Sequence, residues 1–294
     1  MLKAVRNAAA SAAAWTLYRA PALEAPYAYA AHAALGVPGV HTLFRETTDR
    51  LVARLVNGNR ALRRLRIGPV SPVFDVSSFT VKGQYFAHVA YEPGATGAVL
   101  NDLREGDVFV DIGANSGYFS VLAALRVGAS GRVYAFEPNP AVRRQLERHV
   151  ELNRIADRVT VSGLALAGED KDDVRLFVSC WPENDGIASL TPAAETLARG
   201  GLRADASIPV KIRRFDTWAQ SARPARIDVM KIDVEGAEAQ VLAGMSAAFE
   251  TLRPARIICE TPLESAAVRM LRDRGYRVST LDAIPGGIPN LLFE

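Results

Sequence analysis

Five residues of this chain have the types and spacing to hold a nucleoside: Asp111, Gly113, Asn115, Gly117 and Glu137. The apolar run Val108 to Ile112 reads as a buried strand. Gly113-Ala114-Asn115-Ser116-Gly117 follows, and an apolar helix pattern begins at Tyr118. Glycines at a strand-to-helix turn let a ligand come close to the backbone. A second strand-like run, Arg132 to Phe136, leads into Glu137. That acid stands about 20 residues past the turn, where a carboxylate can accept hydrogen bonds from both hydroxyls of a ribose.

Two ligands compete for such a turn. The dinucleotide fingerprint G-x-G-x-x-G places a glycine where Asn115 stands. The pattern here, Asp111-x-Gly113-x-Asn115-x-Gly117, opens with an acid at the carboxyl end of the strand. Such a carboxylate can receive the ammonium of a methionine moiety, and it repels a pyrophosphate. S-adenosylmethionine (SAM) is therefore the expected cofactor. The turn alone would say little; the leading acid, the turn and Glu137 together carry the reading.

Further acids could move a proton. Asp233 follows the run Ile227 to Ile232, and Glu235 comes two residues later. Acids at strand ends of open α/β sheets line the crevice. Methyl transfer from a sulfonium to a hydroxyl needs in-line alignment and a base. Asp233 or Glu235 is the expected base, with Glu92 and His88 as outside candidates. The competing role for Asp233 is a cap on the following helix, and for Lys231 a salt bridge at the rim. No metal is expected, because no histidine or third carboxylate joins Asp233 and Glu235 in sequence.

These groups need a scaffold, and 294 residues suffice for one large α/β domain with an appendage. A hydrophobic fraction of 49% excludes bulk disorder, and a net charge of +3 does not suggest a nucleic-acid partner. Two cysteines, Cys180 and Cys259, give no disulfide framework and fit a reducing, cytoplasmic setting. Cys259 reads as core, and His149 reads as solvated on a charged helix face. The four histidines show no metal-ligand spacing. No stretch approaches the ~20 apolar residues of a membrane span. The Ala-rich start, with Lys3 and Arg6, reads as a helix rather than a leader.

Residues 1–75 read as a helical extension broken at Pro21, Pro26, Pro38, Pro69 and Pro72. The arginines of residues 45–66 form the wet face of an amphipathic helix, with Leu51, Leu55, Leu62 and Leu65 inward, or else an anion-reading surface. Residues 76–294 form the second domain, opening with short strands at 79–81 and 85–89. Strands at 108–112, 132–137, 159–165, 227–233 and 256–260 then alternate with helices. Those helices are expected at 117–126, 140–153, 237–245 and 262–274, with Asn139 capping the second. This order predicts an α/β fold with a doubly wound, mostly parallel sheet. Residues 276–281 and 288–293 read as a closing antiparallel pair, and 174–178 and 208–213 as extra strands around a long loop.

Several pieces together resemble a family. They are Val110-Asp-Ile-Gly-Ala-Asn-Ser-Gly117, Ala135-Phe-Glu-Pro138, the helix end at Asn153 and Lys231-Ile-Asp-Val-Glu-Gly-Ala-Glu238, with Tyr91-Glu-Pro93 upstream. Over about Phe79 to Glu260 the chain resembles the FkbM-type methyltransferases, a branch of the class I SAM-dependent methyltransferases. The resemblance implies a Rossmann-like, seven-stranded class I sheet and O-methylation of a hydroxyl on a small molecule, sugar or lipid-linked glycan. It implies a SAM-binding set of Glu92, Asp111, Gly113, Ala114, Asn115, Gly117, Glu137, Pro138, Asn139, Leu164, Ala165 and Asp233. Within it Glu137 would hold the ribose, Leu164 and Ala165 would lie near the adenine, and Asp233 and Glu235 would meet the reacting methyl. A nicotinamide-dependent oxidoreductase and a non-catalytic SAM-binding module stay as rival readings. No nucleic-acid partner is expected, and the N-terminal helices are the expected place for a peripheral membrane or oligomer contact.

Overall fold

The computed structural model describes residues 2–33, 37, 40–87, 91–179, 188–190, 202–282 and 287–294. His88 and Cys180 lie outside the described residues. Backbone contacts divide the chain into one unit of residues 1–65 with 73–91 and another of residues 66–72 with 92–294. This division falls before Glu92 and groups 66–72 with the larger unit.

The smaller unit holds α1 (Leu2–Arg19), α2 (Glu24–Ala33), α3 (Val40–Asn57), the antiparallel pair β1 (Leu62–Arg64) and β2 (Val73–Asp75), and α4 (Phe79–Ala87). Helix α4 corrects the strands expected at 79–81 and 85–89. Packing overrides the local preference there: the Phe86 ring is buried, 6.5 Å from the Tyr27 ring of α2. Helix α3 buries Leu51 and Leu55 as expected, but it ends at Asn57, so Leu62 and Leu65 are not part of its face. Nor is the basic cluster all solvated, for Arg63 Nη2 meets the buried Glu24 Oε1 at 2.7 Å.

The larger unit begins with α5 (Pro93–Asp102). Then come β3 (Val108–Ile112), α6 (Tyr118–Val127), β4 (Arg132–Phe136), α7 (Pro140–Leu152) and β5 (Val159–Ser162). A second group follows: β6 (Ala165–Leu166), β7 (Lys171–Ser179), β8 (Ala188–Ser189), β9 (Leu202–Arg213) and α8 (Phe215–Ala222). The chain closes with β10 (Val229–Ile232), α9 (Glu238–Ala243), α10 (Ser246–Thr251), β11 (Arg256–Glu260), α11 (Ala266–Asp273), β12 (Val278–Asp282) and β13 (Asn290–Phe293).

Seven strands form the main sheet in the order β12-β13-β11-β10-β3-β4-β5. The five strands from β11 to β5 are parallel, and β13 runs antiparallel to both β11 and β12. The closing pair is thus antiparallel as expected, but β13 is inserted next to β11 rather than left at the edge. The chain steps outward from β3 to β5 and later returns to β10, on the other side of β3. That reversal puts a ligand crevice at the carboxyl ends of β3 and β10. Val110 and Ile112 of β3 and Met230 and Ile232 of β10 are fully buried and anchor the sheet centre.

The expected strands near 174–178 and 208–213 are β7 and β9, the core of a separate sheet ordered β6-β9-β7-β8. The strand expected at 159–165 stops at Ser162, and Ala165 starts β6 instead. Ala165 is drawn off by the apolar core of this second sheet, where it packs with Leu176 and Val210. The helix expected at 237–245 ends at Ala243, where a Cβ on Gly244 would run into the Ala167 carbonyl, and an unexpected second helix, Ser246–Thr251, follows.

Candidate active site

Strand β3 delivers Asp111 to the crevice almost wholly enclosed, at 1% exposure. Ser120, in the first turn of α6, donates to Asp111 Oδ2 at 2.5 Å. In the strand register Asp111 lies beside Lys231 of β10. Burial pushes the Asp111 carboxyl up to about 6, while Lys231 and Ser120 pull it down.

The turn after β3 is held from several sides. Gly113 has φ +85, and a Cβ there would run into the backbone carbonyl of Asp233. Gly117 has φ +88 and lies against Leu146 of α7. These contacts give the glycines an architectural role as well: they let β3, β10 and α7 close on one another. Gly113→Ala is expected to destabilise the protein by roughly 2–5 kcal/mol, from left-handed strain plus overpacking. A melting curve checks this, and an unchanged midpoint would mean that the ends of β3 and β10 are not packed as described.

Glu137 is the centre of the turn's hydrogen bonding. Its Oε2 accepts from the Asn115 amide at 2.9 Å and its Oε1 from the Asn139 amide at 2.8 Å. Asn139 caps α7 as expected, its Oδ1 accepting from Ala141 N at 3.0 Å. Burial raises the Glu137 carboxyl to about 7, against the pull of both amides and Arg143. Each carboxylate oxygen bound to one amide still has a second lone pair. The acid can therefore fix the turn and accept from a diol at once. His149, expected to be solvated, is 1% exposed, with Nδ1 2.7 Å from the Ser116 carbonyl. A carbonyl only accepts, so Nδ1 carries the proton and the ring braces the turn. The charged face of α7 hid this role in the sequence.

The end of β10 gathers acids. Lys231 is 1% exposed, so its ion pairs lie inside rather than at the rim. Its Nζ stands 2.7 Å from Asp233 Oδ2, 3.7 Å from Glu92 Oε2 and 4.6 Å from the centre of the Phe119 ring. Asp233 bonds this ammonium and caps no helix: the residue at the start of α9 is Ala237, with no side-chain cap. Glu235 is half-buried and left-handed at φ +53, and its carbonyl accepts from Ser189 Oγ at 3.2 Å. Burial, then the Asp233 charge, lifts Glu235 to about 7, within reach of neutral pH. A third carboxylate is present after all. Glu260, at the end of β11, and Glu92, just before α5, both come close to Asp233. Burial and the neighbouring acids push Glu260 upward. Glu260 carries the same signal as Asp233, an acid ending an apolar strand, so the sequence could have revealed it.

Other expected site residues sit differently. Leu164 is half-buried on the link out of β5, whereas Ala165 faces the second core. Among the described residues no helix is long and apolar enough to cross a membrane.

The model of the methyltransferase FkbM domain matches residues 111–278, more than half of the 294-residue chain. The chain belongs to this family. Its cofactor is SAM, and the buried Asp111, the glycine turn and Glu137, with lone pairs left over from its two amide bonds, are a donor set that fits that molecule. AMB antimetabolite synthetase AmbE of Pseudomonas aeruginosa is 32% identical over 47% of this chain, a match spanning 8% of that protein. The 31-O-demethyl-FK506 methyltransferase FkbM of Streptomyces tacrolimicus is 29% identical over 60% of this chain and 75% of its own length. The 2-O-methyltransferase NoeI of Sinorhizobium fredii is 29% identical over 51% of this chain and 61% of its own.

Proposed function

We propose that this protein transfers the methyl group of SAM to a hydroxyl of a small molecule or glycan. The carrying observation is Glu137, whose two oxygens hold the amides of Asn115 and Asn139 and keep lone pairs for a ribose diol. Asp111 would meet the methionine end of SAM, in keeping with its place at the head of the turn. Glu235 would act as general base, and Asp233 would orient the acceptor from beside Lys231. The hydroxyl acceptor is supported by the relatives whose names specify O-methylation.

The test is incubation of the full chain with methyl-labelled SAM and a pool of hydroxylated sugars and polyketides. Mass spectrometry should find one added methyl per product molecule together with S-adenosylhomocysteine. A melting temperature raised by NAD and unmoved by SAM would transfer the site to the oxidoreductase reading. SAM binding without turnover on any acceptor would favour the non-catalytic module.

A further inference from the structure

We propose that the smaller unit docks on an anionic lipid bilayer through the outer face of α1, with the helix lying flat in the headgroup layer. Helix α1 is apolar on two opposite sides. Ala10, Ala14 and Leu17 are buried on one side. On the other, Val5, Ala8, Ala12, Trp15 and Arg19 recur at steps of three and four residues and are all exposed. Val5 is 63% exposed and Trp15 53%. A helix on the surface of a globular protein turns polar side chains outward, and Arg19 is the one charge in this stripe. The pattern extends beyond α1. Eight of the ten large exposed hydrophobic side chains among the described residues lie in the smaller unit, which has less than a third of the chain. Apolar surface gathered in this way marks a contact with another body.

Charge says what that body is. The smaller unit has ten lysines and arginines against four aspartates and glutamates, a formal +6, whereas the rest of the chain has 25 against 28 and is −3. The unit's acids do not offset this at the surface. Arg63, Arg6 and Lys82 pair with Glu24, Glu46 and Asp49, and Asp75 is buried. Lys3, Arg19, Arg45, Arg54 and Arg60 are exposed and have no ion pair among the described residues. Arg19 stands over the Trp15 ring, 5.5 Å from its centre. An indole beside a cation suits the bilayer interface, where phosphate lies above the apolar layer. A second copy of the chain fits less well. No acid occurs before Glu24, so two α1 faces would set Lys3 and Arg19 against like charges whichever way they ran. Nucleic acid fits less well too, because its phosphates seek polar donors and this stripe is mostly alanine, valine and tryptophan.

The test is co-sedimentation of the full chain with vesicles of phosphatidylcholine, alone or mixed with phosphatidylserine. Binding should be about tenfold or more stronger on the mixed vesicles, since each cation near an anionic surface strengthens it about fivefold. Salt at about 1 M should remove most of that difference. Trp15→Glu, and independently Ala12→Glu, should each weaken binding about tenfold or more. Both side chains are exposed, so the melting temperature should hardly move. Wild type that stays in solution with the mixed vesicles at about 1 mM lipid overturns the proposal. So does binding that both variants keep, or equal binding to the two kinds of vesicle. Self-association without lipid binding, abolished by Trp15→Glu, would give the face to a second copy. Binding to an oligonucleotide but not to vesicles would give it to nucleic acid. Neither SAM nor acceptor enters these measurements, so their failure leaves the methyl-transfer reading intact, and the reverse holds.

Discussion

Glu137→Ala weakens SAM binding about 10²- to 10⁴-fold in calorimetry. The substitution removes two hydrogen bonds to an ionised carboxylate, each worth ~1.5–3 kcal/mol, and ~1.4 kcal/mol is a factor of ten. It also frees the Asn115 and Asn139 amides, so the turn loses its brace as well as its ribose acceptor. Glu137→Gln is not a mild control. Both oxygens face backbone N–H donors, and an amide side chain offers an acceptor at only one end. One N–H would then face an NH2 group. Unchanged SAM affinity in both variants would remove Glu137 from the cofactor site.

The same carboxyl gives a pH dependence with a definite sign. Glu137 rises from an ordinary 4.5 to about 7 on folding, chiefly through burial. A raised acid holds its proton more tightly when folded. It therefore contributes stability below 4.5 that is lost as pH rises through about 7. Cofactor binding runs the other way, because ribose hydroxyls donate best to the ionised acid. Asp111, lifted to about 6, adds the same trend through the methionine ammonium. SAM affinity should climb between about pH 6 and 8, by up to about tenfold per unit at the acid end. It should fall again once an α-amino group loses its proton near 8. Flat affinity from pH 6 to 8 would show that neither acid touches the cofactor.

Much of this geometry was legible from spacing. The run Val108 to Ile112, the glycine turn and the strand ending before Glu137 appear in place because each is a local signal: apolar run, turn residues, acid. What spacing cannot carry is which distant segment meets which. Nothing near residue 113 in the sequence says that Gly113 must yield to the Asp233 carbonyl. His149 looked solvated because its neighbours in sequence are charged, yet its ring lies under Ser116. Residues 79–87 mislead for a similar reason. Their alternation is real, but Phe86 finds its partner on α2, and that contact selects the helix. Glu92, Glu260 and Asn290 converge from far apart in the chain, so their meeting is a property of the sheet order and of where α5 begins.

Asp233 and Glu235 should separate when each loses its charge. From sequence, Asp233→Asn was expected to be either a lost base or a silent exchange of one helix cap for another. The cap is excluded, because Asp233 bonds Lys231 and Ala237 starts the helix. Asp233→Asn takes away the nearer of the two carboxylates paired with the buried ammonium and leaves Glu92 at 3.7 Å. Removing one member of a buried pair costs about 3–5 kcal/mol, and the remaining Glu92 points to the lower end. The melting temperature should therefore fall together with turnover. Glu235→Gln removes a half-buried carboxyl that no other side chain holds by a salt bridge among the described residues. It should lower turnover about 10²- to 10⁴-fold, with melting and SAM affinity nearly unchanged. Adding Lys231→Met to Asp233→Asn removes the stranded charge and should restore part of the lost stability. Steady-state kinetics beside melting curves on the four proteins decide the matter. If Glu235→Gln turns over normally while Asp233→Asn loses rate with little loss of stability, the proton passes to Asp233 and the Lys231 pair is not structural.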